Sequence, residues 1–214
     1  MKPSMDNFTW QQPIDKLASV VKEAQAKLRA TDREVVADRS GATIDPNGNL
    51  RLEFMRRAYV IDQAEWTVHR ADDAAAPALL MQSLILTYLH LADGTPPLDR
   101  WIGFRELPDG LFYASAFQGY TGAELIREIN GDMALFKQAS EKLQGEALAI
   151  GDAGYAFQVL PNLKLAVVMW AGDDEFPAQA QVLFQETAAH YLMTEALAIV
   201  GSLLIGQISK AAKA

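Results

Sequence analysis

Apolar residues near the N-terminus recur with the period of an α-helix. Pro13 can occupy the first turn of a helix, and the apolar positions after it are three or four residues apart: Ile14, Leu17, Val20, Val21, Ala24 and Leu28. This spacing predicts an amphipathic helix over residues 13–30. We expect residues 1–32 to form an N-terminal helical segment and residues 33–214 to form an α+β domain.

The apolar period shortens to two after this helix. Val35-Val36 leads into a turn at Asn47-Gly48, a pair of residues that favours the positive φ angles of a tight hairpin. Beyond the turn, apolar residues alternate with polar ones: Leu50, Leu52, Phe54, Tyr59 and Ile61. This alternation predicts a half-buried antiparallel meander over residues 35–70.

Two further patterns occupy the middle of the chain. Pro77 opens a segment whose apolar residues cover most of a helical circumference, which predicts a buried helix over residues 77–92. After it, residues 101–107 and 111–117 are rich in aromatic residues and flank the turn Pro108-Asp109-Gly110. Two such stretches around a turn predict a β-hairpin.

The C-terminal half completes an α+β pattern. It predicts helices over 123–129 and 133–143, strands over 155–160 and 163–170, and a final helix over 194–210 with Thr194 as its N-cap. Strands and helices do not alternate regularly along the chain. We therefore predict a single domain with one antiparallel sheet, built from the meander, the hairpin and the strand pair, and packed by the buried helices.

The composition excludes several kinds of site. The 214 residues are 50% hydrophobic, which is enough to fill a sizeable core. The chain has no cysteine, so disulfides, thiolate zinc sites and cysteine-ligated iron–sulfur clusters are excluded. No nucleotide-binding or serine-hydrolase motif is present. The sequence therefore specifies no cofactor.

The charge and the apolar tracts limit the partners. The formal net charge is −8 and no cluster of basic and aromatic residues offsets it, so we expect no nucleic-acid partner. The apolar tract 196–208 is shorter than the roughly 20 residues that span a bilayer, and residues 1–10 lack the features of a signal peptide. We expect a cytoplasmic protein without a membrane partner.

Three consecutive carboxylates, Asp173, Asp174 and Glu175, form the most distinctive candidate site. They follow the most apolar stretch of the chain, which ends at Trp170, and they share one loop before Phe176-Pro177. Carboxylates can hold Mg²⁺ or Ca²⁺ or act as an acid/base pair, but the spacing of a calcium loop is absent. The alternative, which we prefer, is a loop that caps a helix or orders itself by hydrogen bonds. We assign no metal ligand.

Other candidate binding residues are His190, Trp101 and Trp170. His190 could reach the acidic loop if the chain folds back, which would give a carboxylate–imidazole pair able to move a proton. A structural hydrogen bond is the alternative, since no nucleophile is defined. The two tryptophans could line a pocket for a flat ligand or fill the core.

The final helix is apolar on more than one face. An excess of this kind predicts that the helix either packs deep in the core or contacts another subunit. A homo-oligomer that associates through the C-terminal helix is therefore one expectation from the sequence.

Several segments together resemble a prokaryotic family known as domain of unknown function 3786. The resemblance covers about residues 40–205 and rests on these pieces: Leu86-Thr87-Tyr88-Leu89, Trp101 to Leu107, Leu160-Pro161, Trp170 to Pro177, Leu183-Phe184 and His190-Tyr191-Leu192. It implies that some relatives carry an added cysteine-rich iron–sulfur segment, which this chain lacks. The family has no assigned activity, so the resemblance supplies no catalytic residue.

Two functional hypotheses follow. The first is an accessory domain without catalytic activity that binds a small ligand or a protein partner, with the acidic loop and the aromatics near Trp170 at its binding edge. The second is an enzyme or metal site in which Asp173, Asp174, Glu175 and His190 perform acid/base chemistry. The second requires at least one of these carboxylates to lie within hydrogen-bond reach of the imidazole.

Overall fold

The computed structural model describes residues 14–214 and confirms the α+β class. Its strands form two antiparallel sheets, of four and five strands, where the sequence predicted one sheet. Pro13, the first residue of the predicted helix 13–30, lies outside the described residues. The contacts divide the described residues into two compact units, 14–52 with Ala58–Ala92, and Glu53–Arg57 with Asp93–Ala214. The predicted boundary at residue 32 stays a prediction.

The first unit contains the four-stranded sheet and three helices. Its elements are α1 Ile14–Arg29, α2 Arg33–Ser40, β1 Thr43–Ile44, β2 Leu50–Phe54, β3 Arg57–Ile61, β4 Val68–Arg70 and α3 Leu79–Leu91. The strand order is β1-β2-β3-β4, and the hairpin tip between β2 and β3 belongs to the second unit. Buried Tyr88 on α3 donates a hydrogen bond to the carbonyl of Ser40 at the end of α2.

The predicted meander is wrong at its start, where residues 33–40 form helix α2. The Asp32 side chain accepts a hydrogen bond from the N–H of Glu34, and Gly41 ends the helix with a φ of 70°. A side-chain cap at one end and a left-handed glycine at the other stabilise a short helix. These caps outweigh the strand preference of Val35-Val36.

The second unit contains the five-stranded sheet, whose order is β5-β9-β8-β7-β6. Short 3₁₀ turns occupy Phe104–Glu106, Gly110–Tyr113 and Ala188–His190. The remaining elements are β5 Trp101–Gly103, α4 Ala114–Tyr120, α5 Gly122–Ile129, α6 Met133–Lys142, β6 Glu146–Leu148, β7 Ala153–Leu160, β8 Leu163–Trp170, β9 Gln179–Gln185 and α7 Thr194–Ala212.

The hairpin predicted over residues 101–117 is wrong. Residues 101–103 form a strand that pairs with β9, and the rest folds into 3₁₀ turns and helix α4. The rings of Phe104 and Phe117 stack at a centroid distance of 4.1 Å, and both contact Phe184 of β9. Burial of these aromatics against the sheet favours the compact turns over an extended hairpin.

Helix α7 packs against α5 and α6 within the second unit, and much of its length is buried. By length and composition it is also able to cross a membrane, with a mean hydropathy of 1.3 over its best window; 56% of that window is buried inside the protein. The prediction that Thr194 is its N-cap is wrong. Met193 occupies the cap position, and the Thr194 hydroxyl donates to the carbonyl of Pro108.

Candidate functional site

The acidic loop joins β8 to β9 and is ordered by the first of its three carboxylates. The Asp173 side chain accepts hydrogen bonds from the N–H groups of Phe176, at 2.7 Å, and Glu175, at 2.8 Å. The Asp173 N–H in turn donates to the carbonyl of Phe176. These two donors, Phe176 first, hold the pKa of the Asp173 carboxyl below its usual value. The expectation of a loop that orders itself is confirmed for Asp173.

The other two carboxylates of the loop do not converge on a shared point. Asp174 and Glu175 are exposed, as is the neighbouring ring of Phe176. Within residues 14–214, no group of three or more histidine, aspartate or glutamate side chains is arranged to hold a metal ion. The loop therefore presents separate charges to solvent.

The structure does not bring His190 to the acidic loop. Strands β8 and β9 pair so that Trp170 lies opposite Gln179 at the loop, whereas His190 lies beyond Gln185 at the far end of β9. Seven residues at about 3.4 Å each make this strand roughly 20 Å long. Trp101 pairs with Gln185 and so lies at the end near His190. The candidate residues thus fall into two groups, one at each end of β9.

His190 pairs with a carboxylate that the sequence reasoning missed. Its Nδ1 lies 2.7 Å from Oδ2 of Asp93 and 3.1 Å from the hydroxyl of Thr95. The Asp93 side chain also accepts a bond from the Thr95 N–H. Hydrogen bonds from His190, and then from Thr95, lower the pKa of Asp93 to about 2. The Asp93-Gly94-Thr95 sequence is typical of a turn, but the pairing across 97 positions appears only in the fold.

This pair holds a turn in place. Asp93 and His190 are each about half exposed, and the buried Tyr191 donates its hydroxyl hydrogen to the carbonyl of Thr95. Three neighbouring bonds therefore attach residues 93–95 to the 3₁₀ turn before α7. Acid/base catalysis would also need a substrate beside the other ring nitrogen, Nε2.

A different surface of the second unit has the character of a binding site. The 3₁₀ turn Gly110–Tyr113 exposes three consecutive large apolar side chains: Leu111 at 60%, Phe112 at 84% and Tyr113 at 59%. We call these residues the 111–113 surface. Exposed apolar residues that occur singly are ordinary, whereas adjacent ones indicate an interaction site.

The 111–113 surface lies on a rigid base. Gly110 fits so closely that a Cβ atom there would lie 2.0 Å from the carbonyl oxygen of Phe104. Its N–H donates to the carbonyl of Leu107. Phe117, one helical turn beyond Tyr113, is buried in the aromatic cluster. The backbone at the start of the turn that carries the exposed side chains is therefore fixed by close packing.

The stretch of chain that contains this surface and follows it is uncharged. Residues 110–123 contain no charged side chain, although 21% of the whole chain is charged. Exposed Met193 precedes Thr194, whose hydroxyl binds Pro108 two positions before the 3₁₀ turn. The hairpin predicted over residues 101–117 gave no indication of this surface. In a hairpin the side chains alternate between two faces, so half of the aromatic residues would have been buried in the core.

The family model described as Domain of unknown function (DUF3786) matches residues 32–207. The chain belongs to this family, and the resemblance seen in the sequence is confirmed over nearly the same residues. Neither the curated proteins nor the solved structures contain a significant match to the chain.

Proposed function

We propose that this member of the DUF3786 family is an accessory domain without catalytic activity that binds a protein partner through the 111–113 surface. The observation that supports the proposal is the exposure of three consecutive large apolar residues, Leu111, Phe112 and Tyr113, on a turn next to the buried Phe104–Phe117 stack. Protein interfaces are enriched in aromatic residues and methionine and depleted of charge at their centres. The uncharged stretch 110–123 and the nearby Met193 fit this composition.

The surface could supply the central energy of an interface. Complete burial of a large apolar side chain contributes about 1.5–3 kcal/mol. Phe112 is the most exposed of the three and has most to gain from a partner. A few such anchors, when desolvated at the centre of an interface, dominate binding. Because the backbone at Gly110 is already packed, binding has to order the exposed side chains more than the turn that carries them.

The other functions suggested by the sequence have less support. A small-ligand site encloses most of its ligand, whereas the side chains of the 111–113 surface are themselves mostly exposed. Acid/base chemistry by the acidic loop with His190 requires contact between groups that β9 separates by about 20 Å. We therefore propose neither a ligand pocket nor a catalytic centre.

Photocrosslinking tests the proposal. The photoreactive analogue p-benzoylphenylalanine replaces Phe112 in the cells that make the protein naturally, and Phe176 is replaced in the matched control. Phe176 is also an exposed phenylalanine, at 63%, but lies in the acidic loop. We expect ultraviolet light to produce one discrete heavier adduct from position 112 and none from position 176. No adduct at 112, or the same adduct at both positions, would contradict the proposal.

A further inference from the structure

The charges around the 111–113 surface indicate what kind of partner it binds. Asp109 immediately precedes the 3₁₀ turn, and Glu195 follows Met193 in the first turn of α7; both residues are exposed. Arg105 and Glu106 precede Asp109 in the chain, and the Glu106 carboxylate accepts a hydrogen bond from the N–H of Gly103. These four side chains carry three negative charges and one positive charge. Acidic charge therefore prevails among the residues that adjoin the apolar side chains along the chain, and we call these four residues the acidic rim.

The acidity extends over the whole second unit. Its residues, 53–57 and 93–214, include 10 lysines and arginines and 16 aspartates and glutamates, which gives a net charge of −6. A surface of one sign steers partners of the opposite sign and disfavours partners of its own sign. A partner that carries basic residues would therefore complement both the rim and the wider field.

This reasoning disfavours a second copy of the chain as the occupant. A twofold interface would set the same acidic rim against itself, and each copy carries a net charge of −8. It also disfavours a membrane, because proteins that bind anionic lipid surfaces surround their apolar residues with lysine and arginine.

We propose that the 111–113 surface binds an amphipathic, basic segment of a partner protein, in which apolar side chains are flanked by lysine or arginine. This inference rests on the proposed function and specifies its partner. The apolar side chains of the segment cover Phe112 and its neighbours, while its basic side chains lie beside Asp109. Helix α4 continues the surface with exposed small residues, including Gly119, where an added Cβ would meet no atom within 4 Å. A partner can therefore approach closely beside the aromatic residues.

Two synthetic peptides test this chemistry with the full chain. Both are short amphipathic helices with leucines on one face; the other face carries lysines in the first peptide and glutamates in the second. We expect the lysine peptide to bind at least about tenfold more tightly, and we expect its affinity to fall as salt increases. Fluorescence anisotropy of the labelled peptides gives both dissociation constants.

Five substitutions locate the binding. We expect Phe112→Ser to weaken the lysine peptide about tenfold or more, and Phe176→Ser to leave it unchanged. Asp109→Asn should weaken it by a few-fold, because asparagine tolerates the left-handed backbone at φ 58° while removing the charge. Asp174→Asn removes an exposed carboxylate from the distant loop and should have no effect. Tyr113→Ser repeats the first test if Phe112→Ser does not fold.

Each remaining outcome decides against the inference. Equal affinity for the two peptides, with binding still lost in Phe112→Ser, would overturn the basic partner and leave the docking surface intact. If Phe112→Ser binds the lysine peptide as tightly as the wild-type chain, or if neither peptide binds, the inference is overturned and the docking surface loses support. Binding to anionic phosphatidylserine vesicles that depends on Phe112 and exceeds peptide binding would assign the surface to a membrane.

Discussion

Asp93 and Asp173 both accept backbone N–H bonds in a tight turn, but they act over different distances. Asp173 binds residues two and three positions ahead, so its role could be predicted from the local sequence. Asp93 also binds His190, 97 positions later. Local pattern cannot predict such a pair, because it depends on where the sheet places the two segments. The sequence reasoning therefore found the ordered loop and joined His190 to the wrong carboxylate.

Asp93→Asn should reduce the change in the free energy of unfolding between pH 5 and pH 3. The pKa of Asp93 is lowered to about 2 in the folded protein, so its contribution is present above its unfolded pKa, near 4, and is lost as the pH falls towards 2. Since the Asp93–His190 pair is half exposed, we expect Asp93→Asn to lower the free energy of unfolding by less than about 1 kcal/mol at pH 5. We expect a smaller decrease at pH 3. Urea unfolding of both proteins at the two pH values measures it; a loss that grows at pH 3 would contradict this account.

Asp173→Ala should lower the melting temperature by about 2–4 °C, because two N–H groups lose their acceptor. Asp174→Ala is the matched control. Its carboxylate makes no recorded hydrogen bond among residues 14–214 and should leave the melting temperature unchanged. Differential scanning calorimetry compares them, and equal shifts would show that the loop does not depend on Asp173.

At the scale of elements, patterns were reliable where the apolar residues within one segment of the chain carry the signal. They predicted helices α1, α3, α5 and α6 and the strand pair β7–β8 close to their observed bounds. They failed where contacts between distant segments decide the structure. Strand β9 has three glutamines and one alanine among its seven residues, which weakens its local strand signal. Its alternating Ala180, Val182 and Phe184 are buried in the fold, where β8 and β5 pair with the two sides of the strand.

In the segment 101–120, too, contacts with other parts of the chain decide the structure. A substitution at Gly110 tests whether close packing holds this segment in its 3₁₀ turns. An added methyl group at Gly110 would collide with the carbonyl of Phe104, so we expect Gly110→Ala to cost about 1–3 kcal/mol. Gly119→Ala is the control: its methyl group meets no atom within 4 Å on helix α4, and alanine stabilises helices relative to glycine. Chemical denaturation measures both, and a stable Gly110→Ala protein would contradict the close packing.

At the scale of the whole molecule, the two properties that the sequence made plain were acidity and apolar helices. The final helix is explained mostly by burial within the second unit, so it does not by itself indicate an oligomer. The acidic loop lies within the segment that matches the family model, but among residues 14–214 its carboxylates form no group arranged to hold a metal ion. The burial of the final helix and the ordering of the acidic loop leave the exposed 111–113 surface without a structural explanation. This surface could not be predicted from the sequence, because it lies on a 3₁₀ turn where the pattern predicted a hairpin.

The size of the protein in an extract of the cells that make it naturally tests the docking role most directly. Size-exclusion chromatography should show the wild-type chain and Phe176→Ser well above the monomer mass of 23.5 kDa. Phe112→Ser should elute as the monomer, because burial of Phe112 holds the complex together. A wild-type chain that elutes at 23.5 kDa, or a Phe112→Ser chain that stays in the larger complex, would contradict the account.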